Sequence, residues 1–589
     1  MTIRVGDHRR AAAALGLGAA VVLGLGVQAQ SKAAPKPAPT QAKAAPCAAD
    51  NGGLSLPPGF CATVFADNLG HVRHIDVAPN GVVYANSLGG RAAVGAPPGG
   101  FLIALKDTHG DGKADLVTRF GDTAAEGSNG GTGVRVYKGY VYAEMNDKII
   151  RYALAGGAIA PTGKAEVVVQ GLPLTGDHAM HPFIIDAKGQ LFVDLGSATN
   201  SCQAKNRFSH IPGAQPCTEL ETRAGTWRYD AGKLGQTFSA KERFVTGIRN
   251  GEGFGFDSAG RMFATQHGRD QLIQNWHDLY PDEIKATELP SEELLLLTPG
   301  GDYGWPYCYY DDVQHKLVLA PEYGGDGGKA VGLCAQKLAP VAAFPAHWAP
   351  NDLAIYEGKA FPGAYRDGAF IAFHGSWNRA PGPQGGYNVV FQPLKAGKAS
   401  GKYVVFADGF AGPGKAQGKA DFRPTGVAVA PDGALFVSDD SHGRVWRITY
   451  SGAATAAVAG APEPKAMVAA APPPAPAAKP AVSALPPGVT PAQLTRGGQI
   501  FRGEVADGTC GGCHGMAGKG TAIGPDLTAG TWLWGDGGLA SITDTIVKGV
   551  PTPKKAHSPM PPMGGVQLSP DDLAAVSAYV WSLGHSPKS

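Results

Sequence analysis

The stretch "VAVAPDGALFVSDDSHGRVWRITY" at residues 427–450 decides the fold. Apolar residues alternate with small or polar ones in three short runs. Successive side chains of a strand point to opposite faces, so each run predicts a half-buried strand. The intervening Pro-Asp-Gly and Ser-His-Gly steps supply residues that tight hairpins require. The pattern recurs as "IDVAPNGVVYANS" (75–87), "VRVYKGYVYAEMNDKIIRY" (134–152), "FIIDAKGQLFVDLGS" (183–197), "FGFDSAGRMFATQHG" (254–268) and "YRDGAFIAFHGSW" (365–377). Each repeat predicts one antiparallel sheet, and six of them predict a six-bladed β-propeller with long inserted loops. A β-sandwich of similar hairpins is the competing architecture.

The rest of the 589 residues divides around that block. Residues 1–29 carry a basic start ending at Arg9 and Arg10, an apolar run and a small-residue exit, which predicts a signal peptide; the run is also nearly long enough to anchor in a bilayer. Residues 30–53 and 452–487 contain Ala/Pro tracts without apolar periodicity, the second a tether between a propeller at 54–451 and a small domain at 488–589. Basic and acidic residues nearly balance, 51 against 49, with no basic stripe, which argues against a nucleic-acid partner.

The small domain contains "DGTCGGCHG" (507–515). In a C-x-x-C-H step two thiols bond the haem vinyl groups and the adjacent imidazole binds iron, so Cys510, Cys513 and His514 predict one covalent haem c. A dithiol or zinc site would not need that His, and no second Cys pair completes a zinc set. "SPDDLAAVSAYVWSLG" (569–584) predicts a closing helix, with Ser569 as N-cap, Pro570 at N1 and a Leu568/Leu573 staple. Before it, "HSPMPPMGG" offers Met560, Met563 and His557 as distal ligands. The region resembles the all-α class I cytochromes c, whose Met-Pro step favours Met560. The six other Cys form three sequence-local couples, 47–61, 202–217 and 308–334, which predicts three disulfides in an oxidising, periplasmic compartment.

A lone haem moves single electrons, and the propeller shows no GxGxxG fingerprint, second haem motif or iron–sulfur cysteines to feed it. Residues 56–450 nevertheless resemble the soluble pyrroloquinoline-quinone (PQQ) dehydrogenases of the glucose/sorbosone group, through "GDHAMHPFIIDAKGQLFVDLGS" (176–197), "GIRNGEGFGFDSAGRMFATQHGRD" (247–270), "GGDYGWPYC" (300–308) and "HGSWNRAP" (374–381). The resemblance implies His178 as the base, oriented by Asp177, and Arg249 over the reactive carbonyl with Asn250 beside it. It implies Arg73 and Arg423 as further partners of the quinone's carboxylates, and calcium on backbone oxygens at Gly268 and Arg269, where Arg replaces the family's Pro. The family's cofactor lysine has no counterpart, and Arg379 or Asn378 stands in its place, which leans toward sorbosone- or pyranose-type substrates. "DTHGDGKAD" (107–115) is a second calcium candidate: Asp107, Asp111 and Asp115 sit at positions 1, 5 and 9 of an EF-hand-like loop, with His109 and Thr118 at positions 3 and 12; a metal-free polar turn fits as well.

The expected function is periplasmic oxidation of a sugar or aldehyde, with electrons passing to the chain's own haem and then to an external acceptor. The alternatives are a calcium-dependent lactonase and a non-catalytic binding propeller.

Overall fold

The computed structural model describes residues 48, 50–87, 99–121, 130–156, 158–282, 287–376, 379, 384–412, 420–462, 485–502, 505–506, 510–515, 518–520, 524–550, 553–554, 560, 562–565 and 568–585. The predicted signal peptide, Cys47, Asn378, His557 and most of the tether lie outside these residues. No described helix is long and apolar enough to cross a membrane.

Six sheets form, one per sequence repeat, antiparallel except where Gln236–Thr237 joins the edge strand Glu166–Gln170 in parallel. Their innermost strands are Val72–Val77 (blade I), Gly130–Tyr137 (II), Phe183–Ile185 (III), Phe254–Phe256 (IV), Pro350–Ile355 (V) and Pro424–Val429 (VI). Each packs against the innermost strands of both neighbouring blades, which closes a six-membered ring. Four hairpins share one turn, in which Gly81, Gly189, Gly260 and Gly433 adopt φ of 79°, 91°, 74° and 84°. That left-handed position strains any side chain, which explains the recurring Gly of the repeat.

The ring is latched by chemistry from both ends of the propeller sequence. Phe60–Ala66 pairs antiparallel with Val445–Tyr450, from Phe60 against Tyr450 onward, and so completes blade VI. Phe60 is buried between Phe361 and Phe406, each with a ring-centroid distance of 4.8 Å and an edge-on geometry. Disulfides join Cys202–Cys217 and Cys308–Cys334, as expected, and Cys61 is also disulfide-bonded. The stretch read as free tether from residue 452 is anchored as far as Pro462: Ala459 N donates to the Tyr365 hydroxyl (3.1 Å) and Ala461 N to the Val405 carbonyl (2.7 Å).

The small domain is helical, with Pro491–Arg502, Cys510–His514, Leu539–Lys548 and Pro570–His585. Thr490 and Gln493 cap the first helix reciprocally, and Ser569 caps the last by accepting Asp572 N at 3.1 Å. The first and last helices cross at Gly497, where a Cβ would lie 1.9 Å from the Ala575 carbonyl oxygen. Leu494, Ile500, Phe501, Ile542, Ile546, Val576 and Tyr579 fill the core, and Leu568 and Leu573 both pack against it.

Candidate active site

In each blade the residues before the innermost strand and those after the second strand share one end of the hairpin. Hence Ser197 N donates to the Arg249 carbonyl (2.7 Å), and His267 N to that of Asn250 (3.1 Å). The segments holding His178, Arg249, His267, His374, Arg423 and Asp440 all meet at this end of the ring.

Arg249 is buried, and four of its five N–H groups have protein acceptors. Its guanidinium donates to Asn200 O (3.2 Å), Asn200 Oδ1 (2.9 Å), Gly268 O (2.9 Å) and Asp270 Oδ2 (2.9 Å). Arg207 pairs with the same Asp270 oxygen and with Asp177, both at 2.9 Å. Despite the cost of burial, these two guanidinium groups hold Asp270 far below the usual carboxylate range.

The expectation that Asp177 orients His178 is corrected. Asp177 spends its oxygens on Arg207 and Asn206, whereas His178 Nδ1 lies 2.9 Å from Ser197 Oγ and 3.0 Å from Ser197 O. The carbonyl can only accept, so Nδ1 carries the proton. Ser197 Oγ gives its own hydrogen to Thr199 O (2.6 Å) and keeps a lone pair toward the ring. The lone pair of His178 therefore falls on Nε2, and burial together with Arg249 pushes its pKa down to about 3, so the ring is neutral.

The second half of the site gathers around Asp440. Asp440 accepts Arg73 (2.9 Å) and meets His374 Nε2 (2.9 Å), while Arg73 also reaches Glu252 (3.3 Å) and Asn250 donates to Glu252 (3.3 Å). Arg423 donates to the His374 and Gly375 carbonyls at 3.2 and 2.6 Å. The two halves are in electrostatic contact, since His267, pushed down to about 3 by burial and then by Arg249, also feels Asp270 and His374. Arg379 lies to one side, tied to Glu288 and to the Ala346 carbonyl (2.7 Å).

Neither calcium candidate forms a ready ligand set. The Gly268 carbonyl is held by Arg249, and the Arg269 side chain turns into a buried pair with Glu322. Asp107 accepts the amides of His109, Gly110 and Gly112, at 3.1, 2.6 and 2.8 Å, and Asp115 accepts that of Thr108 (2.6 Å). The loop's carboxylates thus cap their own turn rather than converge. Among the described residues no group of three or more His, Cys, Asp or Glu is placed to hold a metal, which is the arrangement a metal-dependent lactonase would need.

The helical domain holds a partly open cavity lined by Cys510, Cys513, His514, Met560, Trp532 and Ile546 among mainly apolar neighbours. His514 Nδ1 lies 3.0 Å from the Pro525 carbonyl, which fixes the proton there and leaves Nε2 as the ligand atom. Met560 is tethered by paired backbone bonds to Val550 (2.7 and 3.0 Å); Met563 is not among the lining residues. Burial raises the Cys513 thiol, and Arg207 of the propeller site opposes that shift. The haem cavity and the site's rim therefore lie within electrostatic reach.

Ser197, Asp270, His374, Asp440 and Arg207 were missed as site residues. Ser197, His374 and Asp440 stand inside the repeats just after a second strand, and Asp270 two residues beyond its repeat, where the hairpin geometry could have pointed to them. Arg207 sits in the Cys202–Cys217 loop, whose path no local pattern encodes.

Such a ring, with a cationic pocket at one end and a c-type haem cavity appended, defines a propeller–cytochrome fusion of the redox-protein class. The family model described as TrAA12-like matches residues 54–451, and that described as Cytochrome c matches 495–584. The chain belongs to the TrAA12-like family and carries a cytochrome c domain. It is 29% identical over 231 residues to the pyrroloquinoline quinone-dependent pyranose dehydrogenase of Coprinopsis cinerea, covering 34% of this chain and 30% of that protein. A protein of Borreliella burgdorferi is 27% identical over 214 residues, 36% of this chain and 49% of its own length. The chain thus spans less than half the length of these curated relatives. The calcium structure of the Trichoderma reesei family AA12 enzyme superposes with a TM-score of 0.54 at 18% identity, over 68% of this chain and 97% of that one. The holo PQQ domain of the Coprinopsis cinerea pyranose dehydrogenase gives 0.53 at 19% identity, over 67% and 97%. These likenesses establish a common fold.

Proposed function

We propose that this protein is an exported, PQQ-dependent dehydrogenase that oxidises a sugar, of pyranose or sorbosone type, and passes the electrons to its own haem c and then to an external acceptor. The observation that carries the reading is the gathering of four guanidinium groups, Arg73, Arg207, Arg249 and Arg423, at the end of the ring where His178 is held with its lone pair on Nε2. Family membership and the relatives' named cofactor support it. Export rests on the N-terminal sequence and the disulfides.

The donor set fits both organic groups. PQQ carries three carboxylates, and Arg73, Arg207, Arg249 and Arg423 meet at one end of the ring. The apolar cavity with His514 Nε2 and Met560 suits a haem bonded to Cys510 and Cys513. Calcium at Gly268 would require Arg249 to leave that carbonyl, and no step is derived through the ion.

Bound PQQ supplies a two-electron-accepting quinone. The protein supplies the proton chemistry and the charge. His178 Nε2, held in the correct tautomer by Ser197, would take the substrate hydroxyl proton as one hydride equivalent leaves the carbon that bears the hydroxyl. Arg249, braced by Asp270 and Asn200, stabilises negative charge that develops on oxygen in the pocket. Arg207 neutralises Asp177 and Asp270 at the rim, so that the pocket facing an anionic cofactor stays cationic.

The test is anaerobic addition of a panel of pyranoses and aldehydes to protein with and without PQQ, followed by the haem spectrum. Haem reduction that needs both sugar and PQQ is expected. Haem that stays oxidised with every sugar, or reduces equally without PQQ, rejects the reading.

A further inference from the structure

A bond between blades that are not neighbours must cross the propeller axis. Among the described residues such contacts include Arg73 of blade I with Glu252 at the start of blade IV (3.3 Å), His74 Nε2 of blade I with the Asn351 carbonyl (2.8 Å) and Asp352 (4.0 Å) of blade V, and Arg135 of blade II with Asp352 (3.8 Å). Arg73 also meets the Asn351 side-chain oxygen at 3.2 and 3.3 Å in the amide orientation that satisfies both groups. Asp76 accepts the amide of Val136 across the blade I–II seam (2.7 Å).

These groups are ordered along the axis. The strand Val72–Val77 begins at the site end with Arg73 beside Asp440, continues through His74, and reaches Asp76 one residue before the hairpin at the far end. At the site end the series starts from Asn250, which donates to Glu252 and adjoins His178: a Cβ on Gly196 would meet both residues. At the far end Arg135 is 14% exposed.

Three atoms of this series are buried without a hydrogen-bond partner in the protein: Arg73 Nε, His74 Nδ1, and Oδ1 of Asp194, which adjoins Gly251. His74 Nε2 faces a carbonyl and holds the ring proton, so Nδ1 presents a lone pair. One donor and two acceptors, fully buried along an axis of polar groups, are what a file of water satisfies.

The oxidation proposed above, on which this inference rests, creates a need for such a file. A carbinol that becomes a carbonyl loses two electrons and two protons, and each electron that leaves through the haem to a one-electron acceptor leaves one proton to be removed. We propose that the propeller axis holds a file of water through which the proton taken by His178 reaches solvent at the Arg135 end.

Two measurements test this on the full, PQQ- and haem-loaded chain. A high-resolution crystal structure should place ordered water within hydrogen-bond distance of His74 Nδ1 and Arg73 Nε. In anaerobic single turnover with a pH-indicator dye, one proton should appear per haem reduced, at the rate of haem reduction. His74→Phe, which dries the axis, and Asp352→Asn, which keeps its volume, should each slow proton appearance at least five-fold behind haem reduction. If His74→Phe fails to fold, Asp352→Asn and the crystal structure decide. A dry axis, or release that keeps pace with haem reduction in the variant tested, overturns the proposal. A wild-type haem that never reduces rejects the oxidation reading instead, and the ordered water still reports on the file.

Discussion

Arg207 stands 2.9 Å from Asp270, and that bond joins the loop closed by Cys202–Cys217 to the turn that follows the second strand of blade IV. The loop brings to the site a cation that neither blade supplies. Substituting both cysteines by serine should cost about 2–4 kcal/mol in chemical denaturation, a magnitude typical of a disulfide this size. It should also raise the concentration of PQQ needed for half-saturation, read by titration of the apoprotein. A variant that loses stability but keeps PQQ affinity would show that Arg207 is placed without the loop's closure.

His178→Ala should retain PQQ and lose about 10²- to 10⁴-fold in turnover with an artificial acceptor. Because burial and Arg249 hold the native pKa near 3, below the value in an unfolded chain, the imidazole is neutral in the fold through ordinary pH. The pH profile of substrate oxidation should show no acid limb from this group above about pH 4. The linked stability runs the same way: it is fully present above the unfolded His value near 6.5 and is lost as pH falls from there toward 3. A kinetic pKa near 6.5 that vanishes in His178→Ala would contradict the assigned environment.

Met560→Ala should abolish the weak methionine-to-iron band of the oxidised haem and lower the haem potential, because Met560 lines the cavity. Met563→Ala should leave both unchanged. The reverse pattern would place the ligand at the second residue of the Pro562–Gly565 turn instead.

Cutting the chain between residues 463 and 484 should make haem reduction bimolecular and slower on dilution, while the propeller fragment still reduces a small dye. Covalent linkage confines the haem domain at about millimolar effective concentration. First-order haem reduction that survives the cut would mean that the two domains hold together by their own interface.

Phe60→Ala should cost about 3–5 kcal/mol, since an aromatic ring is removed from a fully packed cluster. Denaturation followed by β-sheet circular dichroism should register the loss, and the haem band should not shift with it.

The fold was legible because its information is local. Each repeat carries its own alternation and its own turn glycine, and all six became blades. The haem motif was legible for the same reason, since Cys510, Cys513 and His514 lie within one helical turn or so of each other. The propeller site was only half legible. His178 and Arg249 could be singled out by resemblance, but the hydrogen bond that orients His178 comes from Ser197, after the next strand, and not from its sequence neighbour Asp177. Calcium ligation was the least legible element, because backbone oxygens carry no side-chain signature and a nearby guanidinium competes for them.

The latch on blade VI makes the order of synthesis matter. The strand Phe60–Ala66 emerges early from the ribosome, yet its partner comes 388 residues later, as the Cys61–Thr449 contact records. Until then the nascent chain presents an unpaired β edge with no place to dock. The propeller can reach its native state only after nearly all of its sequence has been made, whereas the helical domain can mature around its haem alone.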